Sequence, residues 1–139
     1  MINRPPISIS INFINANPIL STHANFFISS SKNNIDSKKI AELTLKCLKG
    51  SVPSEVPGIT FLSGGQSEEE AAKNLNSINL INDTNFAMTY SYGRALQQSA
   101  LKFWSKDIKD IEGTQKVFNH RSKMNTLAAQ GKWSKDLEI

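Results

Sequence analysis

GITFLSGGQSEEEA, residues 58–71 of the chain, predicts a strand, a glycine loop and a helix in immediate succession. Gly58–Leu62 is a short apolar run with β-branched residues, which is typical of a buried strand. Ser63-Gly64-Gly65-Gln66, between the strand and the helix, predicts a tight loop. Ser67 and Glu70 stand at the spacing of a capping box, and the consecutive acids suit the positive end of a helix.

A second unit of the same kind follows. Residues 86–91, FAMTYS, form another short apolar run and predict a second strand. The tripeptide Tyr92-Gly93-Arg94 then predicts a turn into a helix that runs to about Trp104. The chain therefore repeats the order strand, glycine-containing loop, helix.

Apolar residues at helical spacing predict the buried faces of three helices. The first helix begins after Asp36 or Ser37, and Gly50, followed by Pro53 and Pro57, is predicted to end it. Its predicted stripe is Ile40, Leu43, Cys47 and Leu48. The stripe of the helix after Ser67 is Ala71, Leu75 and Ile78. The stripe of a last helix, over about residues 110–131, is Val117, Phe118, Met124 and Leu127.

Strands that alternate with helices predict parallel strands joined by right-handed crossovers, in an α/β sheet or barrel. A closed (β/α)₈ barrel typically needs about 250 residues and at least roughly 200. This chain has 139 residues. If the two units belong to such a barrel, the chain holds part of it.

Composition excludes several other classes of protein. The net charge of +4 is spread thinly, without the Lys/Arg-rich run of a nucleic-acid-binding surface, so no nucleic-acid partner is predicted. Cys47 is the single cysteine, so the chain cannot form an intramolecular disulfide. No apolar run approaches the roughly 18–20 residues of a membrane span, so no membrane association is predicted.

Residues 1–35 differ from the rest of the chain in composition, being rich in Ile, Asn, Ser and Phe. The stretch ISISINFI alternates apolar and polar residues, which is the period of a strand. A strand without partners is not stable in water. We therefore expect residues 1–35 to be a disordered or artefactual segment, separate from residues 36–139.

The two loops have the chemistry of an anion site. Parallel strands bring their carboxyl ends to one edge, where ligands bind in α/β folds. Glycine N–H groups at a helix N-terminus suit phosphate, and serine hydroxyls and a forked guanidinium add donors. The candidate residues are Ser63, Gly64, Gly65, Ser91, Gly93 and Arg94. Taken singly, the glycines could be turn residues and the arginine a surface charge, and this alternative stays open.

The pentapeptide LSGGQ, residues 62–66, is also the signature of ATP-binding-cassette transporters. Those ATPases need a phosphate loop of the form G-x-x-x-x-G-K-[ST]. The one Gly-Lys pair of this chain, Gly131-Lys132, is followed by Trp133. The transporter interpretation is therefore excluded.

From Asp36 to Trp133 the chain resembles the C-terminal part of class I (Schiff-base) fructose-bisphosphate aldolases. GITFLSGGQSEEEA and SYGRALQQSALKFW, the latter at residues 91–104, are close to signatures of that family. NLNSIN at residues 74–79 is similar to the family's NLNAIN, and VPSEVP at residues 52–57 is similar to its VPPAVPG segment. Gly131-Lys132-Trp133 is similar to the G-K-Y that closes the last helix of the family.

The resemblance implies the last two strand–helix units of a TIM (β/α)₈ barrel, incomplete in this chain. It implies reversible cleavage of fructose 1,6-bisphosphate to dihydroxyacetone phosphate and glyceraldehyde 3-phosphate, in glycolysis and gluconeogenesis in the cytoplasm. The family uses a Schiff-base lysine without a metal or other cofactor. Its members are usually homotetramers, and the implied small-molecule partner is a sugar phosphate.

By residue-for-residue match, the phosphate nearest the ketone would be bound by Ser63, Gly64 and Gly65 in the first loop. In the second loop Ser91, Gly93 and Arg94 match, with Arg94 bonding the same phosphate or switching with substrate occupancy. His23 and His120 lack the spacing of zinc ligands, so no metal site is predicted.

The Schiff-base lysine of the family lies in a Leu-Lys-Pro-Asn setting on the preceding strand. That setting would fall within residues 1–35, where nothing matches it. We therefore predict no catalytic residue in this chain and no aldolase turnover by the isolated polypeptide. The alternative is a truncated, non-catalytic module that binds phosphate or docks on a full-length aldolase.

Overall fold

The computed structural model describes residues 8–13, 22–27 and 36–138. Its strands are β1 Ser8–Phe13, β2 Thr22–Phe27, β3 Gly58–Leu62 and β4 Ala87–Tyr90. Its helices are α1 Ser37–Ser51, α2 Glu68–Leu80, α3 Arg94–Trp104 and α4 Ile111–Ala129, followed by a turn of 3₁₀ helix at Lys135–Leu137. The predicted alternation of helices and strands from α1 to α3 is confirmed. Within these ranges, no helix has the length and apolar character needed to cross a membrane.

The strands of the described ranges form one sheet in the order β1, β2, β3, β4. β3 and β4 run parallel, as predicted, with Phe61 opposite Tyr90. β2 is parallel to β3 and antiparallel to β1. The carboxyl ends of β3 and β4 therefore lie side by side at one edge of the sheet.

Two strands come from residues 1–35, for which the sequence predicted no settled structure. β1 lies within the alternating ISISINFI stretch, as its period indicates. β1 and β2 each have a pairing partner in the sheet, and the expectation of a disordered or artefactual segment stays a prediction. The rest of residues 1–35 lies outside the described ranges, and the division of the chain at residue 36 stays a prediction.

The core lies between one face of the sheet and the helices. Ile59 and Phe61 of β3 and Met88 of β4 are buried, while the residues that alternate with them are more exposed. The predicted stripe of α2 is confirmed: Ala71, Leu75 and Ile78 are all buried. The helices thus cover one face and leave the carboxyl ends of the strands accessible.

The stripe of α1 is rotated from the predicted one. Ile40 and Leu48 are buried as expected, but Leu43 and Cys47 are only half-buried. The remaining buried positions of α1 are Ser37, Ala41, Thr44 and Leu45. Thr44 can occupy the buried face because its hydroxyl donates to the Ile40 carbonyl at 2.7 Å.

The predicted face of α4 is only partly correct. Met124 is buried, whereas Leu127 and Val117 are half-buried and Phe118 is 36% exposed. The buried positions of α4 are Arg121, Met124, Asn125 and Ala128. Polar residues fill this face because they find partners there: the Asn125 amide donates to the Ala95 carbonyl, and the Arg121 guanidinium pairs with Glu138.

Candidate anion-binding site

The first loop, residues 63–66, joins β3 to α2 in a conformation that requires glycine. Gly64 and Gly65 have φ values of 59° and 86°, in the left-handed region that other residues adopt at a cost. The Gln66 N–H and the Gln66 side-chain amide both donate to the Ser63 carbonyl, at 3.0 and 2.9 Å. The Asn74 amide donates to Gln66 Oε1 at 2.5 Å. These bonds fix the loop and leave both glycines exposed.

The second loop, residues 91–93, joins β4 to α3. The Ser91 N–H donates to the Phe61 carbonyl at 2.7 Å, so the ladder between β3 and β4 continues into this loop. The Gly93 carbonyl accepts hydrogen bonds from Leu96 and Gln97, at 3.0 and 3.1 Å, and thereby starts α3. The two loops consequently lie next to each other.

The N-termini of the two helices differ in how they are satisfied. At α2, the Ser67 hydroxyl accepts from the Glu70 N–H and the Glu70 carboxylate accepts from the Ser67 N–H, which confirms the predicted capping box. Three acids in the first turn add negative charge there. At α3, no side chain of a described residue caps the helix, and its first turn has no acid. Of the two helix N-termini, that of α3 is therefore the more favourable for an anion.

Arg94 is the first residue of α3 and is exposed. None of the ion pairs within the described ranges involves its guanidinium. A permanently charged, forked donor thus lies at a helix N-terminus, where backbone N–H groups have no partner within the helix. This arrangement can bind a tetrahedral oxyanion.

The structure brings the predicted residues together on neighbouring loops at one end of the sheet. Ser63 is half-buried; the exposed members of the set are Gly64, Gly65, Ser91, Gly93 and Arg94. Their assignment as phosphate ligands stays a prediction.

Two contacts that connect α2 to the second strand–loop–helix unit were missed from the sequence. The Tyr92 hydroxyl donates to the Ala71 carbonyl of α2 at 3.1 Å. The Glu68 carboxylate accepts from the Ser99 N–H at 3.0 Å and also from the Ser99 hydroxyl. The sequence explained Glu68 only by its place at a helix N-terminus, and no local signal pairs it with a residue of α3.

Burial changes the titration of groups near the site. Burial raises the pKa of the Tyr92 hydroxyl well above its ordinary value, and the neighbouring Tyr90 adds to the effect. Tyr92 therefore stays protonated and keeps its role as a donor. Hydrogen bonds from the backbone and the hydroxyl of Ser67 lower the pKa of Glu70, so the capping carboxylate stays ionised.

Within the described ranges, no group of three or more His, Cys, Asp or Glu side chains is placed to hold a metal ion. His120 faces a single carboxylate, with Nε2 3.5 Å from Glu138 Oε2. The donors at the two loops are N–H groups, hydroxyls and a guanidinium, which suit anions.

A sequence model of the class-I fructose-bisphosphate aldolases matches residues 23–138. The chain is 47% identical over 96 residues to a probable class 1 fructose-bisphosphate aldolase of Xylella fastidiosa, covering 68% of this chain and 29% of that protein. It is 43% identical over 120 residues to fructose-bisphosphate aldolase 1 of Caenorhabditis elegans, covering 86% of this chain and 32% of that protein.

The fold is similar to a solved structure as well. A fructose-bisphosphate aldolase from Plasmodium falciparum, solved in complex with TRAP and a small-molecule inhibitor, superposes with a TM-score of 0.72 at 40% identity. The match covers 76% of this chain and 30% of that chain. The chain therefore spans about a third or less of the length of the relatives it matches.

Proposed function

This chain belongs to the class I fructose-bisphosphate aldolase family, and we propose that its two loops bind the phosphate group of a sugar-phosphate substrate. The observation that carries the proposal is the pairing of two glycine-containing loops at the carboxyl ends of β3 and β4. They lie beside the N-terminus of α3, where no described side chain caps the helix and Arg94 forms no ion pair with a described residue. Either loop alone would be an ordinary turn.

Each loop has a separate role in this proposal. In the first loop, Gly64 and Gly65 present backbone N–H groups without side chains in the way, and Ser63 adds a hydroxyl. In the second loop, Ser91 adds a hydroxyl, and the N-terminus of α3 beginning after Gly93 adds its dipole. Arg94 supplies the full positive charge.

The reaction of the whole enzyme is also a proposal: reversible cleavage of fructose 1,6-bisphosphate to dihydroxyacetone phosphate and glyceraldehyde 3-phosphate. Binding the phosphate would hold the substrate carbonyl in place for attack by a lysine, a contribution of proximity and orientation. The family's lysine setting has no match in this sequence, so we propose phosphate binding without turnover for the 139-residue polypeptide.

Location and assembly follow the same relatives. An Arabidopsis thaliana relative, 43% identical over 112 residues, is described as cytosolic, which supports the expected cytoplasmic location. The homotetramer implied by the family is a proposal for the whole enzyme.

Phosphate binding can be measured by titrating the chain with inorganic phosphate and with dihydroxyacetone phosphate, followed by amide NMR shifts. Shifts should cluster at residues 63–65 and 91–95. Arg94→Ala should weaken binding by about tenfold or more, since a hydrogen bond to a charged group contributes about 1.5–3 kcal/mol. Arg94→Lys should recover part of the loss, because it keeps the charge and loses the fork.

Lys46→Ala is a matched control. Lys46 is exposed on α1, so its removal lowers the net charge by the same amount away from the loops. If Lys46→Ala and Arg94→Ala weaken phosphate binding equally, the loss is explained by the lower net charge of the chain. The proposed site would then be rejected.

Turnover is tested separately by borohydride trapping with dihydroxyacetone phosphate and by release of glyceraldehyde 3-phosphate. We expect phosphate binding without a covalent adduct. A stable adduct on this chain would refute the expectation that it lacks the nucleophile. The non-catalytic alternative gains if the purified chain also binds a full-length aldolase.

A further inference from the structure

We infer that Tyr92 is a positioning residue of the phosphate site, because its buried hydroxyl fixes the second loop to the helix that follows the first loop. The inference rests on the proposed phosphate site. Tyr92 stands between two of the proposed ligands, Ser91 and Gly93, and is itself turned away from solvent.

The burial of Tyr92 sets the direction of its neighbours. Side chains alternate in an extended segment, and the alternation of β4 continues past its end. Met88 and Tyr92, four residues apart, are both buried, and Tyr92 is only 8% exposed. Thr89 and Ser91, two residues apart, are both exposed. With the ring of Tyr92 held inside, the Ser91 hydroxyl is left on the open side of the loop.

The hydroxyl of Tyr92 is anchored close to the first loop. It donates to the Ala71 carbonyl at 3.1 Å, and the Ala71 N–H donates to the carbonyl of the capping residue Ser67 at 2.9 Å. Ala71 therefore belongs to the first turn of α2, a few residues after Gly65. One hydrogen bond thus connects the second loop to the first turn of α2, the helix that follows the first loop.

Tyr92 and Gln66, the residue that pins the first loop, also line the same small cavity. Its volume is about 10 Å³. This is room for at most a single water molecule. Tyr92 and Gln66 therefore lie on the walls of one small void, beside the hydrogen bond from Tyr92 to Ala71.

A second connection, between α2 and α3, does not involve Tyr92, so the effect of the Tyr92 hydroxyl can be measured without unfolding the chain. Glu68 of α2 and Ser99 of α3 are hydrogen-bonded to each other, independently of Tyr92. The ring of Tyr92 also packs near Tyr90, with centroids 5.3 Å apart. Removing the hydroxyl alone should therefore loosen the second loop while the two helices stay in place.

The test compares Tyr92→Phe with Tyr90→Phe in the full 139-residue chain. Both variants lose one phenolic hydroxyl and keep the ring; that of Tyr90 lies 3.4 Å from the Thr126 hydroxyl, away from α2. Two quantities are measured: the dissociation constant for inorganic phosphate, and the amide hydrogen-exchange rate of Ser91, whose N–H is bonded to Phe61.

We expect Tyr92→Phe to weaken phosphate binding and to speed Ser91 exchange by about fivefold each, the worth of one ordinary hydrogen bond. Tyr90→Phe should leave both close to wild type. A lower melting temperature of Tyr92→Phe with unchanged phosphate binding would place Tyr92 in the core alone and overturn the inference.

The failure of the proposed function gives a different result. If the wild-type chain does not bind phosphate, the site itself is rejected, and a positioning role for that site with it. The exchange rates then still decide whether the hydroxyl fixes the loop. Equal exchange in the two variants would reject that as well.

Discussion

The guanidinium of Arg121 donates two hydrogen bonds to the carboxylate of Glu138, at 2.9 and 2.7 Å, and both side chains are almost fully buried. Trp133 Nε1 donates to the same carboxylate at 2.7 Å. The pair joins the middle of α4 to the end of the described chain. It therefore holds the segment after α4 against the helix.

Glu138→Gln should destabilise the chain by about 1–3 kcal/mol, since it leaves the buried Arg121 charge with a weaker acceptor. Urea unfolding, followed by the fluorescence of Trp133, measures the change. The control is Glu112→Gln: Glu112 pairs with Lys116 in the open, at 80% and 74% side-chain exposure. That pair should be worth less than about 1 kcal/mol. Equal losses in the two variants would contradict a special role for the buried pair.

Stability should depend on pH through Glu138. Burial alone would raise the pKa of this carboxyl, but hydrogen bonds from Arg121 and Trp133 outweigh it and hold the pKa below the ordinary value of 4.5. A carboxyl with a depressed pKa contributes stability above its unfolded-state pKa, and this stability is lost as the pH falls through the folded-state value. The difference in unfolding free energy between wild type and Glu138→Gln should therefore shrink below about pH 4.5. A constant difference from pH 7 to pH 3 would argue against this linkage.

Gly65→Ala should cost about 1–2 kcal/mol, because Gly65 has a φ of 86° and an alanine there is strained. The cost is purely conformational, since an added Cβ would meet nothing within 4 Å. Gly50→Ala is the matched control: Gly50 also has open space, but it lies within α1. Alanine should there be neutral or stabilising by up to about 1 kcal/mol. Thermal melts of both variants measure the contrast, and similar effects in the two would mean that the first loop relaxes.

Ser67→Ala should destabilise the chain by about 1 kcal/mol, because it removes the acceptor for the Glu70 N–H in the capping box. The control is Ser77→Ala, since the Ser77 hydroxyl donates to the Lys73 carbonyl within the same helix. Such a bond adds little to a helix, so this variant should stay within about 0.5 kcal/mol of wild type. Chemical unfolding of the two variants distinguishes loss of the helix cap from a general effect of replacing a serine. If Ser67→Ala does not change the free energy of unfolding, the Ser67 cap does not stabilise α2.

Features that depend on neighbours in sequence could be predicted from the sequence. The strand Gly58–Leu62 has the predicted bounds, and the capping box of Ser67 and Glu70 forms as its spacing indicates. The second strand is shorter than predicted, at Ala87–Tyr90. The predicted end of α3 at Trp104 is also confirmed. Each of these is decided by interactions within about one turn or one strand.

The face of α4 could not be predicted in the same way. Apolar spacing favoured Val117 and Phe118, yet the helix buries Arg121 and Asn125. Burying a charged or amide side chain is costly unless a partner is present, and the partners here are remote in sequence. The sequence alone indicates that burying these side chains is costly, but it does not indicate which residues pair with them.

By itself, the sequence determined the strand–loop–helix units, the glycines that the first loop requires and the residues proposed to bind phosphate. Only the tertiary structure decided how those units are held to one another: Tyr92 on Ala71, Glu68 on Ser99, Arg121 on Glu138. The physical reason is the range of the interactions. Turns, caps and strand periods are set by residues a few positions apart, whereas a hydrogen bond between side chains or backbone groups 17 to 31 positions apart exists only after the helices have packed.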